Sequence, residues 1–213
     1  MNLLTKFKDQ TIEALKDNKK LILGLYILFI VCFVAAWFLS ASRMAAVLSN
    51  IQHLNINVGP SDMNSKISAV ELFIHNEIGG IVTYATSVLF GIPAVLLLIY
   101  NGVNLGMMGQ LFATMMPNGG LKYIVYLIPH GIFEITATVI VSAAGILLFR
   151  FIRKFIKAWR SDETHGVSDA FEKTKKILIQ SLILLIFSTI LLIIAAPIEA
   201  YVSVPLSELV LGF

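Results

Sequence analysis

Long uncharged runs of apolar residues constrain this chain more than any other feature. Residues 21–40, 78–100 and 177–196 contain no charged side chain. A helix of about 20 apolar residues is long enough to cross the ~30 Å hydrocarbon core of a bilayer. Of the 213 residues, 57% are hydrophobic and 14% are charged, whereas soluble domains carry about 25% charged residues. We therefore predict an all-α, polytopic integral membrane bundle whose outer surface contacts the lipid bilayer.

The apolar runs predict five membrane-spanning helices in one domain that covers residues 1–213. The predicted spans are 21–40, 78–100, 103–116, 130–149 and 177–196. The third span is short, at ~21 Å, whereas the run 121–149 would measure ~43 Å as a single helix. Pro129 divides this long run, because proline has no backbone N–H to donate within a helix. We predict that residues 121–128 form a separate re-entrant or interfacial segment before the fourth span.

The basic residues predict how the chain is oriented in the cell membrane. Thirteen of the sixteen lysines and arginines lie in residues 1–20 or 150–176. Since basic residues concentrate on the cytoplasmic side, we predict a cytoplasmic amphipathic segment at 1–20 and a basic cytoplasmic loop at 150–176. Residues 41–76 then form an outer loop, with the N-terminus cytoplasmic and the C-terminus extracytoplasmic. Membrane topology explains the basic charge, so we expect no nucleic-acid partner.

Polar residues from separate segments are predicted to meet near the outer end of the bundle. His130 and Glu134 lie about 30 and 24 Å from Arg150 along a helix, and Glu199 lies about 35 Å from Lys176. Asn76 and Glu77 precede the second span from the same side. Polar groups that would be costly against lipid should face other helices or a cavity. The predicted cluster comprises His130, Glu134, Glu199, Asn76, Glu77, Asn101, Thr138 and Ser142.

Glycine spacing predicts one close helix contact. Gly102 and Gly106 are four residues apart, which is the spacing of small residues that allow two membrane helices to approach closely. The pattern is common in membrane proteins, so it predicts packing and carries no information on function.

The predicted cluster is compatible with three kinds of function. His75, His130, Glu134 and Glu199 are acceptable zinc ligand types, which would suit an intramembrane metal-dependent hydrolase. The stripe His130, Glu134, Thr138 and Ser142 recurs every four residues and would suit a conduit for a small solute or an ion. The third reading is a structural lock that holds helices together. The sequence contains no Ser/His/Asp constellation, P-loop or dinucleotide fingerprint, so we expect neither an enzymatic function nor a cofactor.

Several motifs resemble the stage II sporulation protein M family across residues 70–203. They are Gly91, the Tyr-Asn-Gly of 100–102, Gly106, the PHGIFE sequence of 129–134, Gly145 and the IEAY sequence of 198–201. The positions that carry the family pattern are Pro129, His130, Gly131, Glu134, Asn101, Gly102 and Glu199. The family consists of small polytopic helical proteins. Its namesake acts with two partner proteins that remodel peptidoglycan while the septal membrane engulfs the forespore.

The residues and the resemblance together favour a non-enzymatic membrane scaffold, or membrane-organising protein, of the cell envelope. We expect membrane or envelope proteins as partners and, because the small-residue faces suit helix association, a homo-oligomer. The solute or ion conduit and the metal-dependent hydrolase remain as alternatives.

Overall fold

The fold is a bundle of helices. The computed structural model describes residues 2–43, 45–46, 49, 68–161, 166–203, 205–206 and 209. Within these ranges it contains no strand. The helices are α1 (Leu3–Asp17), α2 (Lys19–Leu39), α3 (Ala69–Thr86), α4 (Ile92–Met115), α5 (Gly119–Trp159) and α6 (Val167–Ile198), and a π-helical segment (Glu199–Ser203) continues α6.

Four of the described helices are long and apolar enough to cross a membrane. They are α2, α4, α5 and α6 together with its π-helical continuation. The helix α3, which carries Glu71 and Glu77, is not among them. The all-α membrane architecture is confirmed, and the count of five spans stays a prediction.

The first helix docks beside the start of α6. Asn18 donates a hydrogen bond from Nδ2 to Gln180 Oε1 at 3.1 Å, and Gln180 donates to Asp17 Oδ2 at 2.8 Å. Lys176 forms ion pairs with Asp17 and Glu13 at 2.9 and 2.7 Å. The hydrogen bonds from Lys176 and Gln180 hold the pKa of the Asp17 carboxyl below its ordinary value. We call the end of the bundle that carries Arg150 and Lys176 the basic end.

The long helices α5 and α6 form an antiparallel pair that provides much of the core. Ser181 on α6 donates a hydrogen bond to the Ala144 carbonyl on α5 at 2.8 Å. Tyr84 on α3 bonds the same serine hydroxyl at 3.0 Å, which links a third helix to the pair. Further along the pair, Ala137 packs in a cluster with Leu191 and Leu192. Side chains such as Leu184 and Val139 are fully buried here.

A row of glycines lets α4 lie directly on α2, and the two helices run in the same direction. A Cβ at Gly102 would lie 3.0 Å from the Phe29 carbonyl oxygen. One at Gly106 would overlap the Phe33 carbonyl oxygen, and one at Gly109 would overlap the Trp37 ring. The predicted contact at Gly102 and Gly106 is therefore present, and Gly109 extends it by one turn.

The prediction that residues 78–100 form one span, followed by a short span at 103–116, is wrong. The chain turns after α3, where Phe90 and Gly91 adopt positive φ angles of 61° and 69°. A new helix then begins at Ile92 and runs without a break to Met115. Pro93 lies in its first turn. Backbone N–H groups in the first turn have no acceptor within the helix, so the missing N–H of proline breaks no helical hydrogen bond there. The Gly91-Ile92-Pro93 sequence is the signal for this turn.

The predicted division at Pro129, with a separate segment at 121–128, is also wrong. The helix α5 is continuous from Gly119 to Trp159 and contains Pro129 in its interior. A proline inside a membrane helix is tolerated where neighbouring segments support the chain. Tyr123 donates a hydrogen bond to the Leu105 carbonyl of α4 at 3.0 Å on one side of Pro129, and His130 bonds Ser203 on the other.

Helices extend into both predicted loops. In the predicted basic loop 150–176, residues 150–159 continue α5 and residues 167–176 begin α6. Residues 162–165 lie outside the described ranges. The predicted outer loop 41–76 ends at Ser68, whose side chain accepts a hydrogen bond from the Glu71 backbone N–H and caps α3. Residues 51–67 of that loop also lie outside the description.

We expect Gly106→Ala to destabilise the protein, because the added methyl group would overlap the Phe33 carbonyl and force α2 and α4 apart. Overpacking of this kind costs on the order of 1–3 kcal/mol. The thermal unfolding midpoint of the detergent-solubilised protein measures it. Gly24→Ala on α2 is the matched control, since no atom lies within 4 Å of its added Cβ. Equal midpoints for the two variants would contradict a close α2–α4 contact.

Candidate functional site

A group of polar side chains lies where α3, α5 and the π-helical segment meet, at the end of the bundle opposite the basic end. We call it the polar cluster, and it comprises Asn76, Tyr126, His130, Glu134, Glu199 and Ser203. Helix geometry explains how α5 contributes three of them. Tyr126, His130 and Glu134 are spaced by four residues and therefore lie on one face of the helix.

Glu134 is the centre of the cluster. Its Oε1 accepts a hydrogen bond from Asn76 Nδ2 on α3 at 3.2 Å. Its Oε2 lies 3.9 Å from His130 Nε2, which is too long for a hydrogen bond. The Glu134 side chain is 27% exposed. One oxygen is therefore held by α3, while the other faces the imidazole.

His130 is buried, with 3% of its side chain exposed. Its Nδ1 lies 2.8 Å from the hydroxyl oxygen of Ser203, which is itself fully buried. The Tyr126 ring packs edge-on against the imidazole, with 5.1 Å between ring centroids. These contacts fix the ring plane and direct Nε2 towards Glu134.

Glu199 is the first residue of the π-helical segment that continues α6. Its Oε1 accepts a long hydrogen bond of 3.4 Å from the Tyr126 hydroxyl. Pro197 lies two residues earlier, inside α6. Single-turn π-helical segments often mark functional sites in helices. The same segment carries Ser203, so it supplies both a carboxylate and the partner of His130.

Three groups of the cluster converge on one point. One atom each from His130, Glu134 and Glu199 lie within 4.8 Å of one another. In the part of the chain that the structure describes, neither carboxylate forms an ion pair with a lysine or an arginine. Two carboxylates without a basic partner are unusual in an apolar bundle, because a buried charge is normally paired.

A cavity of about 440 Å³ adjoins the cluster between α3, α4, α5 and α6. The polar residues on its wall include Asn76, Glu77, Asn101, Glu134 and Thr138. Apolar residues such as Leu97 and Leu192 form much of the remainder. A mixed lining of this kind is typical of sites that hold a small molecule or water.

Three other residues that the sequence placed in the cluster line this cavity and do not join the convergent group: Glu77, Asn101 and Thr138. Glu77 accepts a hydrogen bond from Thr189 on α6 at 2.7 Å. Asn101 and Thr138 line the cavity but bond carbonyl oxygens of their own helices. His75 is exposed, lines the cavity and is not one of the three converging groups.

Ser142, the last residue of the predicted stripe, is fully buried and is not on the cavity wall. Its hydroxyl has no hydrogen-bond partner among the described residues.

Sequence reasoning missed Tyr126 and Ser203. A signal for both was present, since Tyr126 precedes His130 by four residues and Ser203 follows Glu199 by four. The spacing that identified the stripe on α5 therefore continues one turn towards Tyr126. No local pattern indicates that Ser203 bonds His130, because that contact joins positions 73 residues apart.

We expect Ser142→Ala to raise the unfolding midpoint or leave it unchanged, because it removes a buried hydroxyl that lacks a partner. Such a group costs about 1–3 kcal/mol when left unpaired. Ser181→Ala is the matched control on the facing helix. It should lower stability by a similar amount, since the Ala144 carbonyl and the Tyr84 hydroxyl would lose their partner. Thermal unfolding in detergent measures both, and a large loss for Ser142→Ala would show that its hydroxyl is bonded.

Comparison with known proteins assigns the chain to a family. The family model described as Stage II sporulation protein M matches residues 25–204. An uncharacterised protein of Methanocaldococcus jannaschii is 38% identical over 121 residues, which are 56% of this chain and 61% of that protein. The alignment therefore covers less than two thirds of the relative's length. No solved structure matches the chain. Because the family match extends over most of its length, this membrane protein belongs to the stage II sporulation protein M family.

Proposed function

We propose that the protein is a non-enzymatic membrane scaffold of the cell envelope, in which the polar cluster locks the helices into a fixed arrangement. The observation that carries this proposal is a set of three hydrogen bonds within the cluster. Asn76 bonds Glu134, His130 bonds Ser203, and Tyr126 bonds Glu199. Each bond joins two segments that are far apart in the sequence.

The bonding pattern suits a lock, because the alternative for each polar group is an apolar environment. Water is scarce within a bilayer, so a polar group that loses its partner there pays a desolvation penalty. The three bonds tie α5 to α3 on one side and to the π-helical segment on the other. Glu77 and Thr189 add a fourth bond between α3 and α6.

A locked bundle presents a constant surface to its neighbours in the membrane. The exposed faces of α2 and α3 carry large apolar side chains, including Ile27, Ile30, Ile78 and Ile81. These faces suit lipid, helices of other membrane proteins, or a second copy of this chain. The resemblance to a family whose namesake acts with envelope-remodelling partners supports the same role.

The orientation that we propose places the basic end in the cytoplasm and the polar cluster at the extracytoplasmic side. The basic extensions of α5 and α6 support it, since basic residues concentrate on the cytoplasmic side of membrane proteins. In this orientation the cluster lies near the side of the membrane where envelope partners work.

We expect Glu134→Ala to lower the free energy of unfolding by about 1–3 kcal/mol, because the Asn76 amide loses its acceptor at a partly buried position. The measurement is thermal unfolding in detergent with a chelator present, which isolates the hydrogen bonds. Asn76→Ala should give a similar loss. Glu172→Ala is the control, because Glu172 is an exposed carboxylate paired with Lys175 on the surface. If Glu134→Ala and Asn76→Ala both unfold like the control, the cluster is not a lock.

The second candidate function is a conduit for a small polar solute or an ion. The cavity favours it, because Asn101, Glu134 and Thr138 place polar groups along its wall between the helices. Ionisable residues inside membrane proteins often mark such pathways.

Flux measurements in proteoliposomes separate the two functions. A scaffold should give a proton or solute flux equal to that of empty liposomes. A conduit should give a flux that falls well below the wild-type value in Thr138→Val, which removes a hydroxyl from the cavity wall and keeps the side chain's shape. Thr86→Val, at an exposed position on α3, is the matched control. Flux in the wild type that Thr138→Val abolishes would replace the scaffold proposal with the conduit.

A further inference from the structure

We infer that His130, Glu134 and Glu199 form a binding site for a divalent metal ion of the zinc class. This inference rests on the proposed lock, which positions the three residues. It adds a bound ion that joins α5 to the π-helical segment.

The first argument is distance. Zinc binds imidazole nitrogen and carboxylate oxygen at about 2.0–2.2 Å, so two ligand atoms of one ion lie no more than about 4.4 Å apart. His130 Nε2 and Glu134 Oε2 are 3.9 Å apart, which is too long for their own hydrogen bond and within the range for two ligands of one ion. All three groups contribute atoms within 4.8 Å of one another. Where a separation exceeds the limit for two ligands of one ion, the bound ion would have to draw the carboxylate oxygens closer together.

The second argument is the pattern of outer partners. Each of the three groups has one atom within hydrogen-bond distance of a neighbouring residue. His130 Nδ1 bonds Ser203, Glu134 Oε1 bonds Asn76, and Glu199 Oε1 bonds Tyr126. Metal ligands are commonly oriented in this way, with the second atom of an imidazole or a carboxylate held by a neighbouring residue.

The third argument is charge. Two carboxylates and a neutral imidazole carry a charge of −2 when both acids are ionised. No lysine or arginine pairs with either carboxylate in the described ranges. A divalent cation balances this charge, and it does so without the large cost of leaving two unpaired anions in an apolar bundle.

The ligand types indicate the class of metal. One imidazole and two carboxylates suit zinc and neighbouring first-row metals, whereas magnesium and calcium prefer oxygen ligands alone. Three protein ligands also leave one position of a tetrahedral ion open. Glu134 lines the adjoining cavity, so this open position is available to water or to a small ligand in the cavity.

Metal content of the purified protein tests the inference. The 213-residue chain in detergent is stripped with a chelator, dialysed against zinc chloride and then freed of unbound zinc. Mass spectrometry of the metal should find a single zinc ion per wild-type chain. Glu199→Gln, which keeps the side-chain size, and His130→Asn, which removes the Nε2 atom, should lose it. Wild-type protein that retains no more zinc than these variants would overturn the inference.

Glu77→Gln is the matched control. Glu77 is a carboxylate on the wall of the same cavity, but it bonds Thr189 and is not one of the three converging groups. It should retain the full zinc content. If Glu77→Gln loses zinc as completely as Glu199→Gln does, the ion is held elsewhere on the cavity wall and the assignment is wrong.

Ser203→Ala provides a variant in which all three ligands remain. Loss of the hydroxyl that orients His130 should weaken zinc affinity about 10- to 100-fold, as measured by competition with a chromophoric chelator. An unchanged affinity would contradict the arrangement that we propose.

Thermal unfolding with and without chelator separates failure of this inference from failure of the lock. Chelation should lower the wild-type midpoint and leave the Glu199→Gln midpoint unchanged. If chelation has no effect on the wild type while Glu134→Ala still destabilises the chelated protein, the lock holds and the metal site is refuted.

Discussion

The cost of placing carboxylates in an apolar bundle governs the arrangement of this protein. Glu134 and Glu199 lie on different helices, and neither has a basic partner among the described residues. Each must therefore find donors from other segments. Asn76 on α3 donates a hydrogen bond to Glu134, and Tyr126 on α5 donates one to Glu199. These hydrogen bonds bring three segments to one level of the bundle. The polar cluster thus forms because the two carboxylates are partly buried, and its hydrogen bonds in turn constrain how the three segments pack.

The sequence predicted the parts of the fold that depend on local spacing. Four-residue steps placed His130 and Glu134 on one helical face, and Gly102 and Gly106 marked the face of α4 that meets α2. Helix boundaries were less accurate. The missing N–H of Pro129 predicts a division of the run 121–149, but contacts with α4 and Ser203 support the continuous helix on both sides of the proline. Such support is tertiary and has no local signature.

In the candidate site too, the sequence predicts what depends on local spacing and does not predict what depends on tertiary packing. Residue types and depth along the helices indicated that His130, Glu134, Glu199 and Asn76 would meet, and the structure brings them together. Depth along the helices alone predicts a larger group of converging residues than the structure contains. Glu77 lies at a similar level, but its side chain faces Thr189, and Asn101 bonds its own helix. Helical level is readable from sequence, whereas the direction in which a side chain points depends on how the helices are rotated against one another.

The lock, the conduit and the metal site make different demands on the same carboxylates. A conduit needs Glu134 to exchange partners, because an ion or a proton must be released as well as bound. A lock needs that partner to stay, and a metal ion strengthens the lock by satisfying the oxygen that Asn76 leaves open. The burial of His130 and its bond to the equally buried Ser203 favour the static arrangement, since neither side chain has space to exchange partners without opening the contact between α5 and the π-helical segment.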